Sequence, residues 1–573
     1  MAQFARAAAG MTIAVRSGRD GRMSMEFDFI VVGAGSAGCA LASRLSQDPS
    51  CSVLLLEAGG DHNNWAVDMP LAVERLLGED PRNWNFLTEH EPYLNGRRVV
   101  HPRGRLLGGS SSINGMVYTR GHPLDFESWK QEAGCHGWGY TDVLPYFKRA
   151  ETCLAGGDSY RGSDGPLMVT KPDLSREPLN SAFMKAGEEA GYPATPDSNG
   201  YQMEGFGPNE QTIFQGRRWS AARAYLDGAR KRRNLKVVRD VLVDKVALTR
   251  GRATDVVYFN GQQRSVARAR REIILSAGSF GTPAILLRSG IGPAEELRDL
   301  GIDPLIASPD VGRNLQDHPD VTIQFWAAGS VGLFSATRGV RKIMTGLQWF
   351  SLKSGLAASN QFEAAAYLRT RAGIPYPNLK LELLPLAFQH DSFDPHPGPS
   401  FQIHMTLLRA ESRGRVALVS ANPVQLPSVV FNYLQDPRDI MVLREAIRLT
   451  REIVAQPAFQ GLARAEIAPG RDVQADDAID AWLRDHVATA YHPAGTCRMG
   501  NDAASVVDPD LKVRGVDGLR IADASIMPLE VSANLNASTI MIGEKAADLI
   551  LGRALAPQSA PFWTNPNWET AQR

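Results

Sequence analysis

The chain has 573 residues, 43% hydrophobic and 22% charged, with 62 Lys+Arg set against 62 Asp+Glu. That composition is globular and excludes disordered, collagenous and coiled-coil architectures, and the charge balance leaves no global field to draw the molecule to nucleic acid or anionic lipid. Its length would give roughly four domains at about 150 residues each, although large α/β enzymes often spend such a length on two interleaved domains. The five Cys, at 39, 51, 135, 153 and 497, show neither CxxC nor Cys/His spacing. They are expected as reduced thiols, with no disulfide framework and no metal site, in a cytoplasmic protein either free or peripheral to the inner face of the membrane. No apolar run approaches the ~18 residues of a membrane span.

Residues 1–25 hold four Arg and one acid and are expected as a disordered leader outside the fold. From Phe27 to Val32 a short apolar run breaks into Gly33-Ala-Gly35-Ser36-Ala-Gly38, followed by a helix-compatible stretch to Leu45 and a second apolar run, Val53–Leu56. This is a β-α-β unit. Gly33 permits the tight turn, Gly35 lets the backbone approach a pyrophosphate, Gly38 lets the helix pack on the strand, and the helix N-terminus offers free N–H groups to phosphate. Glu57, 19 residues after Gly38, ends the crossover strand, where a carboxylate accepts ribose hydroxyls and disfavours a 2′-phosphate. The pattern prefers FAD or NAD over NADP and does not separate those two.

Further strands are expected at Leu235–Val238, Asp255–Phe259, Glu272–Leu275 and Gly518–Asp523, so that one sheet draws on both ends of the chain. Between about 320 and 485 the pattern changes to strands such as Gln402–Leu408 and Arg415–Val419 with a helix over Asp439–Val454, which predicts a second, α+β domain on an antiparallel sheet.

Four more segments carry a resemblance: Gly104-Arg-Leu-Leu-Gly-Gly-Ser-Ser-Ser-Ile-Asn114, Gly278-Ser-Phe-Gly-Thr-Pro-Ala through Gly292, His492-Pro-Ala-Gly-Thr-Cys-Arg-Met-Gly500, and Asn534-Leu-Asn536 with Ile540-Met-Ile-Gly-Glu544. In order and spacing they resemble the signatures of the glucose-methanol-choline (GMC) oxidoreductases, nearest the choline dehydrogenase and alcohol dehydrogenase branch. The resemblance implies a Rossmann-like doubly wound FAD domain assembled from 26–160, 215–320 and 486–555, a substrate domain from 161–214 and 321–485, and a C-terminal tail over 556–573. It implies cofactor contacts at Gly33, Gly35, Ser36, Gly38, Glu57, Ala58, Trp84, Arg103, Gly108, Gly109, Ser110, Asn114, Gly115, Val243, Asp523, Ala524 and Asn536. Without it, Asp523 reads equally as a helix cap and Val243 as core. Some relatives attach the flavin through a His where this chain has Ile113, so FAD is expected to be non-covalent.

Alcohol oxidation needs a base for the hydroxyl proton, and His is suited to it near neutral pH. The resemblance assigns that role to His492 and the orienting amide to Asn534, with hydride passing to flavin N5; exchange of roles between Asn534 and Asn536 is the competing register. The implied activity is oxidation of a primary alcohol to the aldehyde, with a quinone or carrier as acceptor. Alternatives are choline dehydrogenation proper, a lyase of the same fold with structural flavin, a light-driven decarboxylase and a redox-dead binding protein. Glu363 matches a carboxylate position of choline-acting relatives. With Trp326, Trp349, Phe362, Tyr367 and Phe388 it either forms a quaternary-ammonium site or braces the fold.

Overall fold

The structure, a computed structural model, describes residues 16–17, 23–329, 331–390, 392 and 394–573. Of the expected leader, 1–15 and 18–22 lie outside the described residues. The first strand begins earlier than expected: Met23–Val32 pairs antiparallel with Arg16–Ser17 at its start.

That strand lies inside an eight-stranded sheet. Leu235–Val238, Val53–Leu56, Met23–Val32, the end of Gln263–Leu275 and Leu519–Ile521 run parallel. The start of Gln263–Leu275 continues into an antiparallel meander with Arg252–Asn260 and Val241–Thr249. Phe29–Val32, Val53–Leu56 and Ile273–Leu275 are buried throughout. Their unbroken apolar runs are what a parallel sheet covered on both faces requires. Helix Ser36–Leu45 returns over the sheet and packs against Asn536–Leu551, the last helix, which also contacts Tyr140–Ala150.

The second sheet has seven strands and is antiparallel, in the order Ala463–Ala468, Pro319–Ala327, Ser400–Leu407, Leu379–Leu384, Ala364–Leu368, Gly205–Pro208, with Ala488–Thr489 beside Pro319–Ala327. It therefore takes in Pro319–Asp320 and Ala488–Thr489, which the expected boundaries assign to the other domain. Arg415–Ala417 is not part of it; it forms a side hairpin with Ser428–Val430, because the chain turns away after Leu408.

This sheet has two unlike faces, set by the period-2 alternation of side chains. Val321, Ile323, Phe325, Leu379, Leu381, Leu383, Phe401, Ile403 and Met405 are buried in one apolar cluster with Ile440, Leu443 and Ile447 of helix Pro437–Val454. The alternate positions Asp320, Gln324, Lys380, Glu382, Gln402, His404 and Thr406 face a cavity shared with the first sheet. The C-terminal tail is tied down: Trp563 N donates to Tyr201 O at 2.8 Å, Gly373 N to Trp568 O at 2.7 Å, and Arg369 Nη1 to Ala571 O at 2.9 Å.

Buried Glu544 fastens the helices of the first domain. It accepts from Arg44 Nε at 2.8 Å, Arg149 Nε at 2.8 Å and the Tyr225 hydroxyl at 2.7 Å. Glu544→Ala leaves Arg44 without its carboxylate, while Arg149 keeps Asp548 at 2.8 Å; the expected loss is about 3 kcal/mol, at the low end for a broken buried pair because both guanidiniums keep some solvent. Urea unfolding measures it; a loss under about 1 kcal/mol would mean the carboxylate is dispensable.

Candidate active site

The glycines of the first turn are required for different reasons. At Gly33, where φ is +99°, a Cβ would lie 2.4 Å from Ser276 O, and at Gly38 one would lie 1.9 Å from Gly33 O. Both positions serve strand–helix packing. A Cβ at Gly35 would meet nothing nearer than Ser276 O at 3.9 Å, so this turn leaves open space at the start of helix Ser36–Leu45, whose first residues have no described side-chain cap. The second glycine turn closes on the first: Gly108 N donates to Ala34 O at 2.7 Å, and a Cβ at Gly109 would sit 2.8 Å from Gly35 Cα. The result is a side-chain-free cradle with backbone donors, suited to a dinucleotide pyrophosphate.

A cavity of about 1730 Å³ runs from this cradle to His492 and the polar face of the second sheet. All residues expected to contact the cofactor line it except Gly38 and Gly108, which pack within the protein. Several already hold the main chain. Glu57 accepts from Ala34 N and Gly59 N, each at 2.8 Å, and burial pushes its carboxyl up to about 7. Asp523 accepts from Gly278 N at 2.9 Å, Thr282 Oγ1 at 2.6 Å and Ser525 N at 2.8 Å, so the helix-cap reading holds while the residue still borders the cavity. Asn114 Oδ1 accepts from Arg218 Nη1 at 2.8 Å, Arg103 donates to Tyr491 O at 2.7 Å, and the Arg105 guanidinium lies 4.8 Å from the Trp84 ring centroid. Val243 O accepts from Arg288 Nη2 at 3.4 Å.

His492 follows the short strand Ala488–Thr489. Its backbone N–H donates to Asp317 Oδ1 at 2.6 Å. Buried Asp317 also accepts from Thr489 Oγ1 at 2.5 Å and from the Tyr433 hydroxyl, and burial raises its carboxyl to about 6. The imidazole Nε2 lies 3.2 Å from Asn534 Nδ2, and Nδ1 lies 3.0 Å from His318 Nδ1. Lys380 Nζ donates to Asn534 Oδ1 at 2.7 Å. An ammonium only donates, so the amide must turn its oxygen to Lys380 and its NH₂ to His492. Nε2 is thereby an acceptor, and the ring hydrogen of the neutral form sits on Nδ1, donated to His318. Burial, with His318, Lys380 and Arg103 nearby, holds His492 well below the usual histidine range; burial takes His318 to about 3. Asn536 does different work, accepting from Ser36 Oγ at 2.7 Å.

Lys380, Glu382, His318 and Asp317 were not singled out from the sequence. The signal for the first two was present: Leu379-Lys-Leu-Glu-Leu-Leu384 is an apolar strand with charges at alternate positions. Lys380 Nζ donates to Glu382 Oε1 at 2.7 Å, and Asn209 Nδ2 donates to the same oxygen at 2.7 Å. His404 Nδ1 lies 2.8 Å from Asp320 Oδ2; burial pulls its pKa down, but Asp320 outweighs burial and the net shift is upward. His318, His492 and Glu530 each bring a ligand atom within 4.8 Å of the others. That spacing would suit a cation, but the same Nδ1 atoms are engaged in the imidazole–imidazole hydrogen bond.

Glu363 requires a correction. It is not among the residues lining the cavity; it accepts from Ser359 Oγ at 2.6 Å and Asn180 Nδ2 at 3.1 Å. Preceding the strand Ala364–Leu368, it turns toward Ser359 and helix Pro178–Glu189, where burial still raises its carboxyl although the Ser359 hydrogen bond opposes it. Of the expected aromatics only Phe362 and Phe388 line the cavity; Tyr367 bonds Thr119 Oγ1 at 2.8 Å and Trp349 donates to Gly216 O at 2.7 Å.

Family models for the GMC oxidoreductases match residues 27–320 and 410–543. The chain belongs to the GMC oxidoreductase family, and is an FAD-dependent oxidoreductase acting on CH–OH donors. Among curated relatives, the oxygen-dependent choline dehydrogenase of Rhizobium rhizogenes is 48% identical over 552 residues, spanning 96% of this chain and 100% of the relative. That of Vibrio vulnificus is 45% identical over 555 residues, spanning 96% and 99%. Among solved structures, pyridoxine 4-oxidase from Mesorbium loti superposes with a TM-score of 0.83 at 32% identity, covering 91% of this chain and 98% of that one. Formate oxidase gives 0.87 at 26%, covering 92% and 98%.

Proposed function

We propose that the chain oxidises a primary alcohol to its aldehyde, with FAD held non-covalently along the cavity from the glycine cradle to the His492–Asn534 pair. The flavin unit comprises 26–160, 215–320 and 486–555, and the substrate unit 161–214 and 321–485, except that Pro319–Asp320 and Ala488–Thr489 go with the substrate unit's sheet. The observation that carries this is the His492 Nε2 lone pair, presented beside a donor amide inside that cavity. The alcohol hydroxyl takes the place of the direct Asn534–His492 contact: Asn534 Nδ2 donates to its oxygen, Nε2 takes its proton, and the amide hydrogen bond strengthens as alkoxide charge develops. When bound, FAD supplies the two-electron acceptor for hydride from the carbinol carbon. Glu57 ties the first glycine turn to the end of its own strand through Ala34 N and Gly59 N, and Ile113 offers no nucleophile for a covalent link.

The substrate is a neutral primary alcohol, aliphatic or aryl. Choline, named in the relatives at 45–48% identity, is the second reading. Phe362 and Phe388 offer a quaternary ammonium aromatic faces, while the nearby carboxylates Glu382 and Asp320 already hold Lys380 and His404. The acceptor is a quinone or carrier, and the location cytoplasmic, free or peripheral to the membrane; the names of the relatives point instead to oxygen. Anaerobic titration with choline, 3,3-dimethylbutanol and benzyl alcohol, followed by admission of air, tests all of this. At least one alcohol should bleach the oxidised flavin band, and failure of every primary alcohol tried would overturn the proposal. Preference for choline over its neutral isostere would establish choline, and immediate recolouring in air would establish oxygen.

His492→Ala should purify yellow and lose about 10²- to 10⁴-fold in kcat, with Asn534→Ala milder and Asn536→Ala milder still; a variant of His492 retaining half its turnover would remove it as the base. Because His492 is held below the ordinary histidine value, lowering pH does not protonate it until well under that value. Wild-type kcat/KM for a neutral alcohol should therefore stay level from about pH 8 down through about 6.5, and a half-maximal point at or above 6.5 would contradict the assignment.

Gly35→Val should fold, since space is open there, yet purify colourless because the side chain fills the cradle; a yellow variant would place the phosphates elsewhere. Acid precipitation of the wild type should leave the yellow colour in the supernatant, and a washed pellet that stays yellow would reveal a covalent bond.

A further inference from the structure

Helix Gly339–Leu352 carries its apolar stripe on the outside. Val340, Ile343, Met344 and Leu347, at i, i+3, i+4 and i+7, are 73%, 62%, 59% and 55% exposed. A helix docked on a globular core turns such a stripe inward. Here the inward side is Trp349, which is buried, with half-buried Thr345 and Gly346 beside the cavity; Phe350 borders the cavity too but is 51% exposed. Leu352 and Leu356 extend the exposed apolar surface, as does Trp65, whose ring lies 5.7 Å from that of Phe350. A contiguous apolar patch of this kind marks an interaction surface.

Charge identifies the partner. Arg338, Arg341, Lys342 and Lys353 flank the stripe, and the sequence has no Asp or Glu from 321 to 362. Arg75, over the Trp65 ring at 5.4 Å, adds to this rim; the acids beside it along the cavity edge are Glu74, Glu79 and Asp394. In a chain whose formal charge is zero this is a local basic excess. A two-fold pairing of two copies through this face would set the basic rim against itself. A helix of 14 residues is about 21 Å long, too short to span a bilayer and suited to lying in its interface with its apolar side down. We infer that this face docks the protein on a membrane surface containing anionic phospholipid, which brings the cavity mouth to the lipid interface.

Co-sedimentation of the FAD-loaded protein with vesicles tests this, comparing phosphatidylcholine alone with a mixture in which about a third of the lipid is phosphatidylglycerol. Binding is expected only to the anionic vesicles, weakening as salt rises. The double variant Ile343→Ser/Leu347→Ser, with its melting temperature unchanged, should bind at least about tenfold more weakly. As a second measurement, the fluorescence of Met344→Trp should be quenched by lipids brominated on the acyl chain. Absence of binding to anionic vesicles, equal binding by the double variant, or a wild-type dimer that the double variant abolishes would overturn the inference.

Discussion

The 2.7 Å hydrogen bond from Lys380 Nζ to Asn534 Oδ1 is the point at which the two halves of the molecule specify one chemistry. Lys380 comes from the antiparallel sheet, Asn534 from the segment entering the last helix of the flavin-binding half. A primary amide beside an imidazole is ambiguous on its own: it can donate to the ring or accept from it. An ammonium removes the ambiguity, because it meets only the carbonyl end. Burying that ammonium is costly unless it is paired, and Glu382, itself steadied by Asn209, supplies the pair. The order of dependence runs from ion pair to amide to imidazole.

Each link rests on sheet register. Lys380 and Glu382 reach the cavity because side chains two apart share a face, and the intervening leucines pack against helix Pro437–Val454. A slip of one residue would bury the charges in the apolar layer and expose leucines to the substrate. That penalty makes the register, and with it the position of Lys380, strongly determined. On the opposite wall steric exclusion does the same: Gly33 and Gly38 admit no Cβ, and Gly109 can close on Gly35 only because Gly109 carries none.

Local rules made the first half of the molecule legible. A glycine turn between two apolar runs announces itself within 30 residues, and Val53–Leu56 and Leu235–Val238 occur where their composition indicates. His492 and Asn534 were accessible only through their resemblance to a family, because their partners lie far off in sequence: His318 is 174 residues from His492, and Lys380 is 154 from Asn534. Asn534 and Asn536 look alike in sequence, and only the chain's entry into its last helix sends one to His492 and the other to Ser36. Glu363 shows the converse difficulty. The direction of a side chain at a strand's start depends on neighbours such as Asn180, which no local pattern reveals.

A double-mutant cycle on Lys380 and Asn534 tests the central claim most directly, using kcat/KM for the best alcohol. If Lys380 acts by orienting the amide, Lys380→Met and Asn534→Ala should each cost about tenfold or more, and the double variant should be no worse than the poorer single, giving a coupling energy of about 1.4 kcal/mol or above. Fully additive losses, or an undiminished Lys380→Met enzyme, would contradict it.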